Sequence, residues 1–230
     1  MTIVAVTGTD TEVGKTVVTA ALAAVQLSLG RTVAVVKPAQ TGVGPEDDGD
    51  LAEVRRLAGD VATYEGVRLP DPLAPDTAAR VAGLDLPTLD TQRALVAHAA
   101  SSHDVTLVEG SGGVLVNLGE NWNLVDLADS LRHAGHHVVF VVVARAGLGT
   151  LNHAGLTVQA VRARALEVAG VIVGSWPARP DLVEEQNLID LPRMTGVPLL
   201  GRVPEGAAGL PARAFRRGAL DWVPGLESGD

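Results

Sequence analysis

The chain contains no cysteine among its 230 residues. Disulfides, thiolate nucleophiles and cysteine-held metals are thereby excluded. Aromatic residues make up 3% of the sequence, so the interior has to be built from valine, leucine and alanine. Positive charge is in deficit: 18 Lys and Arg stand against 27 Asp and Glu, for a formal net charge of −9. A nucleic-acid partner needs a basic face and is not expected; a nucleotide site needs only local positive charge. No apolar run approaches the roughly 18 residues of a membrane-spanning helix, so no membrane partner is expected. No basic stretch precedes the first apolar run, so no signal peptide is expected and a soluble, cytoplasmic protein is the default.

What is present is the composition of a globular chain, 47% hydrophobic and 20% charged, long enough for one α/β domain with a substantial core. Residues 2–7 are a short β-branched apolar run, read as a buried strand. Gly8-Thr9-Asp10-Thr11-Glu12-Val13-Gly14-Lys15-Thr16 follows at once, and then an Ala/Leu/Val-rich helix to about Leu29, closed by Gly30. Strand, glycine-bounded loop with Gly-Lys-Thr, then helix is the layout of a phosphate-binding loop. Backbone N–H groups and the positive end of the helix dipole face an anion there. Lys15 is placed to reach the β- and γ-phosphates and Thr16 to bind Mg²⁺. The spacing is irregular: the first glycine, Gly8, comes one residue early, and Thr9 stands where glycine is usual.

Further on, residues 32–36 read as a second strand, with Lys37 just past its C-terminal end, the edge where ligands bind in open α/β sheets. Residues 43–50 form a polar loop carrying Glu46, Asp47, Asp48 and Asp50, any of which is a candidate magnesium ligand, with Asp50 also suited to N-cap a helix over 51–57. A rigid proline-rich connection ends at Pro75, and helices are expected over 76–81 and 88–100. Residues 104–108 are the third strand, ending in Glu109-Gly110-Ser111-Gly112-Gly113. An acid there suits a second magnesium contact, and the glycines suit a turn where backbone approaches a ligand. Strands over 138–143, 168–173 and 198–203 alternate with helices over 123–134, 150–164, 182–194 and 211–218. The expected architecture is one P-loop NTPase-like α/β domain over 1–230, a doubly wound, mostly parallel sheet with helices on both faces. The tail after about residue 218 is left unassigned. The histidines show no metal-ligand spacing, and Trp122 and Trp176 read as packing residues.

These blocks resemble one family, the ATP-dependent dethiobiotin synthetases. The carriers are residues 6–17, Lys37-Pro38 with Thr41-Gly42, Asp50-Leu51-Ala52, residues 107–113, Leu148-Gly149-Thr150-Leu151-Asn152-His153-Ala154 and Pro198-Leu199-Leu200-Gly201. The early Gly8 is itself the family's form. The resemblance implies that 7,8-diaminopelargonate, CO₂ (or bicarbonate) and ATP yield dethiobiotin, ADP and phosphate, through a carbamate and a carbamic–phosphoric anhydride. It implies catalytic roles for Lys37, Lys15 and Thr11, and a magnesium set of Thr16, Asp50 and Glu109. Nucleotide contacts are implied for Glu12, Val13, Gly14, Lys15, Thr16, Val17, Asp50, Glu109, Gly110, Ser111 and Gly112, with the base against Gly174, Ser175, Pro204, Glu205 and Gly206. Thr41 and Glu12 are implied at the substrate, and Leu151 and Asn152 would hold its carboxylate across a homodimer interface. The chain departs from the family at Gly174, where an asparagine often reads adenine, so relaxed base choice is expected. A partitioning or switch ATPase is the alternative, but such loops carry an early signature lysine where this chain has Asp10. An amide-forming cobyrinate synthase would need a cysteine-dependent glutaminase domain.

Overall fold

The structure is a computed structural model, and it describes residues 1–223; the expected tail beyond them lies outside the described residues. In chain order the first elements are β1 (Thr2–Gly8), α1 (Lys15–Ser28), β2 (Val33–Thr41), α2 (Asp50–Ala58), β3 (Ala62–Leu69) and α3 (Pro75–Ala82). Then come α4 (Leu89–Ser101), β4 (Val105–Gly113), β5 (Asn117–Gly119), β6 (Trp122–Asn123), α5 (Leu124–His133) and β7 (Val138–Ala144). The last are α6 (Thr150–Arg162), β8 (Glu167–Trp176), α7 (Leu182–Thr195), β9 (Leu199–Pro204) and α8 (Ala212–Trp222).

Seven strands form one parallel sheet in the order β3-β2-β4-β1-β7-β8-β9, with β5 and β6 a separate antiparallel pair. The period-two geometry of a strand divides the core. Ile3 and Ala5 of β1 face the layer of α4, α5, α6 and α7, while Val4 and Val6 face that of α1, α2 and α8. On β7, Val138, Phe140 and Val142 take the first side and Val139, Val141 and Val143 the second. A strand buried on both faces therefore reads as an unbroken apolar run, as β7 does. Fully burying such a side chain stabilises the fold by roughly 1.5–3 kcal/mol. Among the described residues, no helix is long and apolar enough to cross a membrane.

Several expected boundaries shift. β2 runs on to Thr41, so Lys37 lies inside a strand and not past its end. Pro38 is tolerated because pairing with β4 has already stopped at Val36↔Val108, and its carbonyl instead accepts Gln92 Nε2 at 3.4 Å. The glycines after Glu109 belong to β4 and are not a free turn. Glu109 pairs with Val6 in the ladder, and the register slips between Val6 and Gly8, where the phosphate loop begins. α2 starts at Asp50 with Gly49 as its N-cap, so Asp50 is not the cap. α8 extends past Gly218 to Trp222. β3 and the β5–β6 pair escaped sequence reading. β3 is an edge strand carrying Glu65, Gly66 and Arg68 with little full burial, which is how sheet edges are blunted and why its apolar signal is weak.

Candidate active site

The loop after β1 is shaped by close approach. A Cβ on Gly8 would lie 2.6 Å from the Asp10 carbonyl oxygen and 2.9 Å from Lys15 Nζ, so glycine is required at that position and the early spacing has a steric cause. Glu12 at the apex holds φ 56°, and Gly14 follows at φ 92° as the N-cap of α1, with no side chain capping the helix. Left-handed residues in close succession turn backbone N–H groups inward, which is the geometry of an anion cradle. α5 and α7, by contrast, are closed by the capping boxes Asn123–Asp126 and Asp181–Glu184.

Lys15 is buried and its Nζ donates to the Asp10 carbonyl at 2.9 Å. Burial, with the Lys37 ammonium nearby, brings its pKa from 10.5 down to about 8. Lys37, from β2, is 3% exposed and donates to Asp50 Oδ2 at 2.7 Å, Glu109 Oε1 at 2.8 Å and the Gly110 carbonyl at 3.2 Å. Burial alone would favour the neutral amine, but the Glu109 and Asp50 carboxylates outweigh it and hold the Lys37 pKa above its ordinary value. Burial likewise opposes ionisation of Asp50, and Lys37 overturns that and keeps its pKa below the usual carboxylate range. Thr16 Oγ1 donates to Glu109 Oε1 at 2.9 Å. Ser111 Oγ donates to the Ala39 carbonyl at 2.6 Å, tying β4 to β2 across the crevice.

One crevice of about 390 Å³ collects most of the residues expected at the site: Thr11, Glu12, Gly14, Lys15, Thr16, Val17, Lys37, Thr41, Asp50, Glu109, Ser111 and Gly112. A neighbouring cavity of about 520 Å³ shares Thr11, Glu12, Thr41, Ser111 and Gly112 with it and continues to Leu73, Pro75 and Val116. Val13 is buried beneath the loop, and Gly110 enters through its carbonyl. Gly174, Ser175, Pro204, Glu205 and Gly206 do not line the crevice; they lie at the ends of β8 and β9, joined by the Glu205 N–H bond to the Trp176 carbonyl at 2.8 Å. Gly174 nevertheless touches the loop. A Cβ on it would lie 2.0 Å from the Val13 carbonyl oxygen, and one on Gly14 would lie 2.5 Å from the Gly174 carbonyl oxygen. Leu151 and Asn152 also stand apart, on the first turn of α6, which starts from left-handed Gly149 without a side-chain cap.

Two contributors had no role assigned from sequence, though Gln40 stands with Thr41-Gly42 beside Lys37. Gln40 accepts the Asp50 N–H at 2.9 Å, and Arg145 pairs with the loop residue Asp10 at 2.7 Å. Gln40 is flagged in sequence by nothing beyond adjacency to Thr41. Arg145 is 135 positions from Asp10 and reaches it through the β1–β7 pairing.

The donor set fits a hard divalent cation: two carboxylates and a hydroxyl, all oxygen, with Glu109 buried and Asp50 and Thr16 partly exposed. Among the described residues, no group of three or more His, Cys, Asp or Glu side chains gathers as a metal site. The set at this crevice consists of Asp50, Glu109 and Thr16, which Lys37 and its hydrogen bonds hold together.

Comparison with known proteins shows the family. A family model described as an AAA domain matches residues 2–208. The ATP-dependent dethiobiotin synthetase BioD of Rhodococcus jostii is 53% identical over 227 residues, covering 96% of this chain and 94% of that one. That of Saccharopolyspora erythraea is 55% identical, covering 92% and 91%, and that of a Mycobacterium species 45% identical, covering 98% and 100%. Among solved structures, the septum site-determining protein MinD of Pyrococcus horikoshii, complexed with Mg-ADP, superposes with a TM-score of 0.59 at 18% identity over 96% of each chain, which shows a shared fold. With half its residues shared end to end with these enzymes, and the phosphate loop intact, the chain belongs to the ATP-dependent dethiobiotin synthetase family of AAA-domain proteins.

Proposed function

We propose that this protein is a dethiobiotin synthase: it uses Mg-ATP to carboxylate 7,8-diaminopelargonate with CO₂ and close the cyclic urea of dethiobiotin, releasing ADP and phosphate. The observation that carries this reading is Lys37, a charged amine buried between two carboxylates on the floor of a crevice that also holds Lys15 and the loop. One amine of the substrate takes up CO₂ as a carbamate. The carbamate oxygen attacks the γ-phosphorus and ADP leaves, giving a carbamic–phosphoric anhydride. The second amine then attacks the carbonyl carbon, its proton is lost, and phosphate departs as the ring closes. The protein's part is positioning and charge neutralisation. Lys15 would hold the β- and γ-phosphates, and the loop N–H groups the phosphate oxygens. Lys37 would stabilise the carbamate and the phosphoryl group in transfer. Thr16, Asp50 and Glu109 would hold Mg²⁺, which when bound supplies charge neutralisation on the phosphates.

The cavity of about 520 Å³ beyond Thr11 and Thr41 suits the diamine, with Leu73 and Val116 against its chain. A homodimer is part of the same reading. Exposed Leu115 and Leu156 line an apolar cavity of about 370 Å³ beside α6, where Thr9 Oγ1 and His153 Nδ1 are buried without partners. Such a face suits a second copy that brings Leu151 and Asn152 to the substrate of its neighbour. Dethiobiotin formation from purified protein, bicarbonate, Mg-ATP and diaminopelargonate tests the activity. ATP turnover that is indifferent to the diamine would instead favour a switch ATPase.

A further inference from the structure

α2 begins with no cap of its own, since Gly49 has no side chain to offer. The missing acceptor comes from another element. Gln40, 3% exposed on β2, takes the Asp50 N–H on its Oε1 at 2.9 Å and donates Nε2 to the Thr41 carbonyl at 3.2 Å. A reversed amide would set NH₂ against N–H and oxygen against oxygen, so the orientation follows from the bonding. Gly49 makes the room: a Cβ there would lie 2.9 Å from Gln40 Oε1 and 3.1 Å from its Cδ. The backbone before Asp50 is pinned separately, because the Arg68 guanidinium donates to the Gly44 carbonyl at 3.0 Å and the Asp47 carbonyl at 2.6 Å. With its N–H taken by Gln40, Asp50 need not bend back to cap its own helix. Its carboxylate is left to face Lys37 at 2.7 Å.

We infer that Gln40 is a positioning residue: with Gly49 as its seat, it sets the Asp50 carboxylate for the divalent cation and links that carboxylate to Thr41 at the substrate side. This rests on Asp50 being a metal ligand. On the first turn of α2 the Gln40 bond joins the Lys37–Asp50 pair in tying the helix to β2. Losing the bond releases the first turn, so the loss falls on metal binding before it falls on the fold.

The test uses Mn²⁺ as probe, counted by its electron-spin resonance signal in the protein–ATP complex, for Gln40→Leu, Gly49→Ala and the reference Asp50→Asn. Removing a partner that orients a ligating carboxylate weakens metal binding by about tenfold or more. That loss is expected for Gln40→Leu and Gly49→Ala, with turnover recovering as Mn²⁺ is raised, and a larger loss for Asp50→Asn. Wild-type Mn²⁺ binding in Gln40→Leu beside a loss in Asp50→Asn overturns the role of Gln40. Unchanged binding in Asp50→Asn overturns the metal reading instead. Turnover lost in Gln40→Leu and not recovered by Mn²⁺ also overturns the inference. Should Gln40→Leu fail to fold, Gly49→Ala, which keeps the amide and displaces it, decides the matter on the same measurements.

Discussion

Around Lys37 the crevice wall is made of charged side chains; Gly174, outside that crevice, packs against the backbone of the loop and the Val143 side chain. The first region sets one ammonium against two carboxylates within 3 Å, one of which also accepts from a hydroxyl, all drawn from different elements. The second packs a β8 glycine directly onto the Val13 carbonyl, leaving no space for a side chain. The first region is therefore governed by charge, which solvent exclusion strengthens. The second region gains its shape from steric contact, which fixes where the loop sits. Substitutions should thus act on the first region through charge balance and on the second through displacement of the loop.

The largest effect is expected from Lys37→Met. It leaves Glu109 and the partly exposed Asp50 without their counter-charge, which costs about 3 kcal/mol of stability and removes most turnover. Urea unfolding with and without Mg²⁺ measures this, and Mg²⁺ should restore part of the loss. Wild-type stability, or no response to Mg²⁺, would break the charge account of that wall.

Gly174→Ala comes next. Its methyl would drive into the Val13 carbonyl, and overpacking of this kind costs about 1–3 kcal/mol. The melting temperature and nucleotide affinity should fall together; a variant that melts and binds as wild type would show that the loop does not rest on this contact.

A smaller, pH-dependent effect belongs to Lys15. Its pKa lies at about 8 in the folded chain against 10.5 ordinarily. Between those values the unfolded chain binds more protons, so this group's contribution to stability rises with pH across that window, and below it the buried ammonium opposes folding. Phosphates reverse the preference. Nucleotide binding near pH 9 should then take up a proton and weaken as pH rises, which calorimetry in buffers of different ionisation enthalpy reads directly. Absence of proton uptake would mean that Lys15 stays charged in the free protein. The smallest effect is the contrast among bases. With ATP, GTP and CTP, kcat/KM should differ by less than about tenfold, in line with a backbone-lined base site. A strong preference for ATP alone would give the β8–β9 end a side-chain reader.

The alternation of apolar strands and helices, the phosphate loop and the acids after it were legible from sequence because each is a local signal. A strand buried on both faces must be apolar throughout, as at residues 138–143, and a loop that folds over its own lysine must place glycines where Cβ atoms would strike. β3 was not legible, because Glu65, Gly66 and Arg68 interrupt its apolar residues Ala62, Tyr64, Val67 and Leu69. Lys37 was placed just past its strand since Pro38 looks like a stop; the divergence of β2 from β4 after Val36 removes the ladder bond that Pro38 would have broken. The acids at 46–50 were not separable by residue type alone. Choosing Asp50 took the family resemblance; the structure sets its carboxylate 2.7 Å from Lys37 and its N–H on Gln40.

By itself, then, the sequence determined the fold class, the phosphate loop and the residue types at the site, because these follow from local periodicity and sterics. Tertiary structure decided which charges share one crevice. Residues 37, 50 and 109 meet only when β2, α2 and β4 are packed, and the resulting ion pairs, and the pKa values they set, exist only in that low-dielectric contact.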